Sequence, residues 1–208
     1  MADLKDRIGG VILAGGRSLR MGGGDKGLAL LAGRPLLAHV IGRLRPQVNA
    51  LALNTNSEPA RLASFGLEIV ADSLPGLGPL GGVLAGMRWA KQRGNVERIV
   101  TVACDTPFFP AELVARLADA VGSDDRIVQA RSGDRRHPTF ALWPVSLADD
   151  LQTFLRCAGS HSMRAFAGER HPVALVDFPL GAGHDPFFNV NTPQDLLMAE
   201  QQLAESGR

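Results

Sequence analysis

Much of what marks a chain for a common function is missing from this sequence. Its two cysteines, Cys104 and Cys157, form no C-x-x-C pair. A chain so poor in cysteine is expected to keep both thiols reduced and buried, as in the cytoplasm. The five histidines make no H-E-x-x-H motif and no Cys/His cluster, which argues against a zinc site. The formal net charge is only +1, so there is no electrostatic case for nucleic acid or for an anionic membrane as partner. No apolar run is long enough to span a bilayer, and the polar, charged stretch Met1–Arg7 is unlike a signal peptide. Internal repeats and low-complexity segments are absent too.

What is present is an ordinary globular composition, 208 residues with 45% hydrophobic side chains, which suits a single domain spanning 1–208. Apolar strands alternate with helical periodicity, which predicts an α/β fold with a mostly parallel sheet. Strands are expected at 8–14, 50–54, 68–71, 98–103, 127–130, 139–142 and 173–176. Helices are expected to open at Arg34-Pro35 and at Pro110, with proline suited to a first turn, and to lie at 57–64, along Leu80, Val83, Leu84 and Met87, and at 146–157. The first is marked by Leu37, Val40, Ile41 and Leu44 at i, i+3, i+4 and i+7. Thr192-Pro193 followed by Asp195 predicts a capped N-terminus for the last helix.

The stretch Val11 to Gly27 organises the rest. The apolar run Val11–Leu13 opens into a loop with five glycines before Asp25 and with Arg17, Arg20 and Lys26. A buried strand opening into such a loop presents backbone N–H groups, and here cationic side chains, to phosphates. The dinucleotide fingerprint is matched literally by Gly22, Gly24 and Gly27, but these come too late after the strand, and Asn54 stands where its acidic residue should end the second strand. The P-loop pattern fails because Lys26 precedes Gly27 rather than Ser or Thr.

Asn54, Asp72 and Asp105 fall at the C-terminal ends of expected strands, beside that loop. In an open parallel sheet this edge meets the ligand crevice. Asp105, before Thr106-Pro107, is suited to hold Mg²⁺, a hard ion that takes one or two carboxylates plus phosphate oxygens. Asn54 and Asp72 are suited to hydrogen-bond a base or ribose. The stretch Gly78-Pro79-Leu80-Gly81-Gly82 has few side chains in the way of a base. A charged tip such as Asp134-Arg135-Arg136 is usually just solvated. Helix capping explains Thr192 and Pro193 but leaves Asn189 and Asn191 unexplained.

Leu13-Ala-Gly-Gly-Arg-Ser-Leu-Arg-Met-Gly-Gly-Gly-Asp-Lys-Gly27 closely resembles the signature loop of the nucleotidyltransferases that include molybdenum cofactor guanylyltransferase, and Asn189-Val-Asn191-Thr-Pro193 resembles the family's C-terminal motif. Gly81 stands where alanine is common in the family. The resemblance implies a Rossmann-like three-layer αβα nucleotidyltransferase fold, with a GTP-binding N-terminal half and a molybdopterin-binding C-terminal half. It implies transfer of GMP from GTP to the terminal phosphate of molybdopterin, with release of pyrophosphate. Lys26, Arg20 and Asp105 would be catalytic, with Mg²⁺ on Asp105. Leu13, Ala14, Gly15, Gly16, Lys26, Asn54, Asp72, Gly78, Pro79, Gly82 and Asp105 would bind the nucleotide. His137, Asn189 and Asn191 would face the molybdopterin. Other molybdenum-cofactor biosynthesis proteins and molybdoenzyme chaperones are implied partners. Two alternatives stay open within this chemistry, a molybdopterin cytidylyltransferase and a sugar-phosphate nucleotidyltransferase. A third, of another class, is a non-catalytic GTP-binding module.

Overall fold

The computed structural model of the chain describes residues 4–15, 26–73, 76–122, 125–157, 161–181 and 184–206. Strand β1 (Ile8–Leu13) lies inside a seven-stranded sheet, third from one edge, and every one of its residues is buried. A strand covered on both faces reads as an unbroken apolar run, which is why the alternation expected of a half-exposed strand is missing here. Alternate residues still separate. Ile8 and Ile12 belong to the core on one face, and Val11 and Leu13 to the core on the other.

The other large strands are β4 (Ala50–Asn54), β5 (Glu68–Val70), β6 (Arg98–Ala103), β7 (Ile127–Ser132), β8 (Arg135–Pro144) and β9 (Val173–Asp177); β2 (Leu30–Leu31) and β3 (Arg34–Pro35) form a separate small ribbon. The sheet order is β5-β4-β1-β6-β8-β7-β9. Pairing is parallel throughout except at β8, which runs antiparallel to both β6 and β7. The parallel run β5-β4-β1-β6 brings four strand C-termini to one edge.

Helices α1 (Leu36–Leu44) and α3 (Leu113–Asp119) pack on the Ile8/Ile12 face, while α2 (Pro79–Arg93) and α4 (Ala148–Cys157) pack on the Val11/Leu13 face. The three-layer arrangement expected from the sequence is thus observed. A short helix α5 (Met163–Phe166) precedes β9, and α6 (Pro193–Ser206) ends the described chain. Its start has the expected cap. The Asp195 N–H donates to Thr192 Oγ1 at 3.1 Å, and Asp195 Oδ2 accepts from the Thr192 and Asn191 N–H groups at 2.8 and 2.9 Å. Burial alone would raise the Asp195 carboxyl, but those hydrogen bonds bring it below its ordinary range.

Several boundaries differ from expectation. Pro35 closes the small ribbon and caps α1 rather than opening it. The short helix expected at 57–64 is a 3-10 helix, Pro59–Phe65. Pro110 leads into a turn, and α3 begins only at Leu113. Strands β7 and β8 extend farther than expected, so Arg135 and Arg136 belong to a strand. Only Gly133 and Asp134 remain as the hairpin turn, and Gly133 takes the left-handed conformation at φ +52°. Cys104 is buried as expected, but Cys157, at the end of α4, is exposed.

A small third core joins Leu31, Leu36, Phe108, Val190 and Ala199. It ties together the start of α1, the chain just after Asp105 and the segment leading into α6. These three stretches are far apart in sequence, and this contact is what fixes their relative positions.

Candidate functional site

A cleft of about 780 Å³ opens at the strand C-terminal edge. Its walls come from the ends of β1 (Leu13, Ala14, Gly15), β4 (Asn54 to Ser57), the chain after β5 (Asp72, Gly76), the start of α2 (Gly78, Pro79) and the end of β6 (Ala103 to Asp105). Lys26, Thr139 and Asn189 complete it. A second cleft of about 380 Å³, beside Asp6, Gln47 and Asn49, opens elsewhere on the surface. There Gln47 already donates to the Arg43 and Pro110 carbonyls and accepts from the Val114 N–H, so it has little left for a ligand.

At the floor of the larger cleft, Lys26 Nζ donates to Asp105 Oδ2 at 3.1 Å. The same ammonium donates to Asn191 Oδ1. Asp105 is held from the backbone as well, since its carbonyl accepts from the Val190 N–H at 2.8 Å. The neighbouring Thr106 hydroxyl donates to Asn189 Oδ1 at 2.6 Å. Asn189 and Asn191 are therefore clamps on Asp105's segment and on Lys26. The resemblance has both facing the molybdopterin; in the fold Asn189 lines the same cleft as Lys26 and Asp105, and Asn191 bonds Lys26.

The other wall carries a clasp. Asn54 Nδ2 donates to the Val70 carbonyl at 3.0 Å and to Asp72 Oδ1 at 2.8 Å. Asn56 Nδ2 donates to Asp72 Oδ2 at 2.9 Å, and the Asp72 N–H donates back to Asn56 Oδ1 at 2.9 Å. Asn54 is buried and spends both amide hydrogens within the protein, so its part is to position Asp72. Asp72 accepts one bond on each oxygen and keeps lone pairs open.

Gly78 caps α2 at φ 62°, ψ −155°, a conformation that only glycine takes readily, so the N-terminus of α2 opens beside the cleft. Gly82 does not line the cleft as expected. A Cβ there would fall 2.2 Å from Asn54 Oδ1 and 2.8 Å from Leu13 Cδ2, so its missing side chain lets α2 seat against the strand ends. Leu13 and Gly15 line the cleft as expected. Ala14 does too, but its N–H is bonded to the Asn54 carbonyl at 2.8 Å and is closed to a ligand. Gly16 and Arg20, with Arg17, lie outside the described residues.

His137 is also corrected. It is 5% exposed, stacked on Phe187 at 4.3 Å, and it does not line the cleft. The Ser132 hydroxyl donates to Asp185 Oδ1 at 2.9 Å, so at the 2.7 Å contact with His137 Nε2 the hydroxyl accepts and the ring nitrogen carries the proton. Burial, partly opposed by Asp185, pushes the imidazole down to about 4 and keeps it neutral. His137 fastens the loop that leads into Asn189. The residue of His137-Pro-Thr139 that reaches the cleft is Thr139.

Asn56, Thr106 and Thr139 were missed in the sequence reading. The i, i+2 spacing of Asn54 and Asn56 was a usable sign for the first, since it puts both amides on one side of an extended chain.

Among the described residues, no group of three or more His, Cys, Asp or Glu side chains is placed to hold a metal. A cation at Asp105 would therefore need oxygens from a ligand or from water. A single recessed carboxylate that already attracts an ammonium suits a hard divalent ion of that kind. No helix among the described residues is long and apolar enough to cross a membrane.

The model of the MobA-like NTP transferase domain matches residues 10–173. A protein of Bradyrhizobium sp. (strain ORS 278) named molybdenum cofactor guanylyltransferase is 47% identical over 97% of this chain and 95% of its own length. One of Rhizobium meliloti (strain 1021) with the same name is 49% identical over 93% of this chain and 90% of its own. Among solved structures, molybdopterin-guanine dinucleotide biosynthesis protein A from Archaeoglobus fulgidus is similar with a TM-score of 0.75 and 25% identity, over 95% of this chain and 99% of that one.

Proposed function

Because this chain belongs to the MobA-like NTP transferase family, we propose that its cleft is where GMP is transferred from GTP to the terminal phosphate of molybdopterin, releasing pyrophosphate. The observation that carries the site assignment is the meeting of Lys26 and Asp105 in a cleft bounded by four parallel strand ends, with Asn191 bonded to the same ammonium.

In this reaction a phosphate oxygen of the pterin forms a bond to the α-phosphorus of GTP, and the α–β anhydride bond breaks. The pyrophosphate leaves with the bonding electrons. A phosphate monoester is mostly a dianion at neutral pH, so no general base is required. Among the described residues lining the cleft there is no histidine; the titratable side chains there are Lys26, Asp72, Cys104 and Asp105. What the chemistry does require is in-line positioning and neutralised charge.

Lys26 supplies a cation for the β- and γ-phosphates, and Arg20, outside the described residues, is assigned a catalytic part from the signature loop alone. Asp105 is assigned to hold Mg²⁺, which when bound neutralises phosphate charge and polarises the α-phosphorus. The guanosine sits between the β1 end (Leu13 to Gly15) and the Gly78-Pro79 start of α2. Its base is turned to Asp72, whose carboxylate matches the paired donors N1–H and N2–H₂ of guanine. Cytosine and adenine offer no such adjacent donor pair. Asn189 stands where the nucleotide and acceptor sides meet, so a contact with the attacking phosphate is compatible with its bond to Thr106. The N-terminal half of the one domain thereby serves GTP, and the C-terminal half serves the pterin. The reading also implies a cytoplasmic protein that meets other molybdenum-cofactor proteins.

Competition among GTP, CTP and UTP for the cleft, with Mg²⁺ and molybdopterin present, tests this directly. GTP is expected to be preferred by orders of magnitude. Equal use of CTP would overturn the guanylyl assignment in favour of the cytidylyl one, and preference for UTP would point to sugar-phosphate chemistry.

A further inference from the structure

Asn56 is the outer half of the clasp on Asp72. It makes two bonds to that residue. Its Nδ2 donates to Oδ2 at 2.9 Å, and its Oδ1 accepts the Asp72 N–H at 2.9 Å. Together these close a ring through the side chain of one residue and the backbone of the other. Asn54 occupies the opposite carboxylate oxygen at 2.8 Å. With one amide donor on each oxygen, the carboxylate plane is fixed.

Asp72 sits just beyond β5, in chain with no sheet pairing of its own, so little else fixes the carboxylate. The two amides differ in setting. Asn54 is buried beneath Gly82, whereas Asn56 is exposed at the cleft rim. Asn56 therefore lies where it can act on a ligand's surroundings without being needed for the core.

We infer that Asn56 is a positioning residue for base selection, orienting the Asp72 carboxylate so that both its oxygens meet the two adjacent donors of guanine. This rests on the reading above that Asp72 takes the guanine edge. A carboxylate free to rotate satisfies one donor as well as two, so losing the clasp weakens the distinction between guanine and a base with a single donor. Hypoxanthine is that base, because it keeps N1–H and lacks the N2 amino group. A bond to a charged group that orients it is worth roughly ten-fold in affinity.

The test compares GTP with ITP on the full chain in the presence of Mg²⁺, by calorimetric titration and by pyrophosphate release with molybdopterin as acceptor. Asn56→Ala is expected to bind GTP about ten-fold more weakly, to lower the GTP:ITP preference by a similar factor, and to leave kcat and the thermal midpoint near the parent values. Asn56→Asp keeps the side-chain size but sets a second carboxylate against Asp72, so its loss should be larger. Asp72→Asn separates the two levels of the argument. If Asp72→Asn abolishes the GTP:ITP preference while Asn56→Ala keeps it, the role of Asn56 is overturned and the base contact stands. If Asp72→Asn also keeps the preference, the base contact itself fails. A fall in kcat alone, with both affinities unchanged, would likewise overturn the inference.

Discussion

Lys26 and Asp105 are separated by 79 positions in the chain, and their side chains meet at 3.1 Å on the floor of the cleft. Neither is fully exposed; their side chains retain 24% and 13% of their accessible surface. Such a pair is of modest value for stability, because desolvation consumes much of the attraction. Its value lies in holding an ammonium and a carboxylate, partners for phosphate and for a divalent cation, in one place.

Replacing Asp105 by Ala should remove transfer almost wholly, by about 10³-fold in kcat, the scale of losing one group that stabilises developing charge. The fold should survive, because among the described residues the side chain bonds Lys26 and Thr106 alone, and the backbone bond to Val190 is retained. Circular dichroism and a single-turnover assay check the two halves. Activity near the parent level with a native spectrum would remove Asp105 from the site.

Asn191→Ala and Lys26→Ala should both act on the nucleotide. Lys26→Ala is expected to raise KM for GTP by at least about ten-fold, as loss of a charge-assisted contact would. Asn191→Ala should give a smaller rise in the same constant, because it releases the ammonium without removing it. If Asn191→Ala changed only KM for molybdopterin, the nucleotide-side role would be refuted and the acceptor-side role implied by the resemblance supported.

Gly82→Ala pits two effects against each other. Alanine stabilises a helix interior by up to about 1 kcal/mol over glycine. The new Cβ, however, would sit 2.2 Å from Asn54 Oδ1, and overpacking of this kind costs about 1–3 kcal/mol. The clash should win. Thermal unfolding should shift downward, and KM for GTP should rise because Asn54 is pushed off Asp72. An unchanged or raised midpoint would contradict the packing argument.

The sequence carried the sheet well, because β1, β4 and β6 are apolar runs whose period and length admit one reading. It was less legible where short-range signals compete. Pro35 and Pro110 satisfied a helix-start rule, yet tertiary contacts spent them on a ribbon end and a turn. The strand-end residues Asn54, Asp72 and Asp105 were found because a parallel sheet forces its C-termini to one edge. The contacts of Asn189 and Asn191 were not, because they depend on the small core around Phe108 and Val190, which local pattern does not encode. His137 was misjudged for a related reason. The resemblance of His137-Pro-Thr139 to the family's motif set the imidazole beside the acceptor, but the Phe187 ring covers it.

His137 gives a pH prediction. Its imidazole is displaced from 6.5 to about 4 in the folded chain, so between those values the unfolded chain binds the extra proton. Stability from this group is complete above about pH 6.5 and is lost as pH falls toward 4. At about 1.4 kcal/mol per pKa unit, the swing is on the order of 3–4 kcal/mol. Asp150, held down to about 2 chiefly by its bond from Arg170, loses its contribution only below that window. Urea midpoints should therefore decline between pH 6.5 and 4, and His137→Gln should flatten that decline. An equal slope in both proteins would show that the imidazole is not buried as described.

The most direct measurement follows the label. With GTP carrying ³²P at the α-position, Mg²⁺ and molybdopterin, the account predicts label in a pterin dinucleotide with one pyrophosphate released per transfer. GTP bound without turnover, or label remaining in free nucleotide while pyrophosphate is absent, would contradict it and leave a nucleotide-binding module in its place.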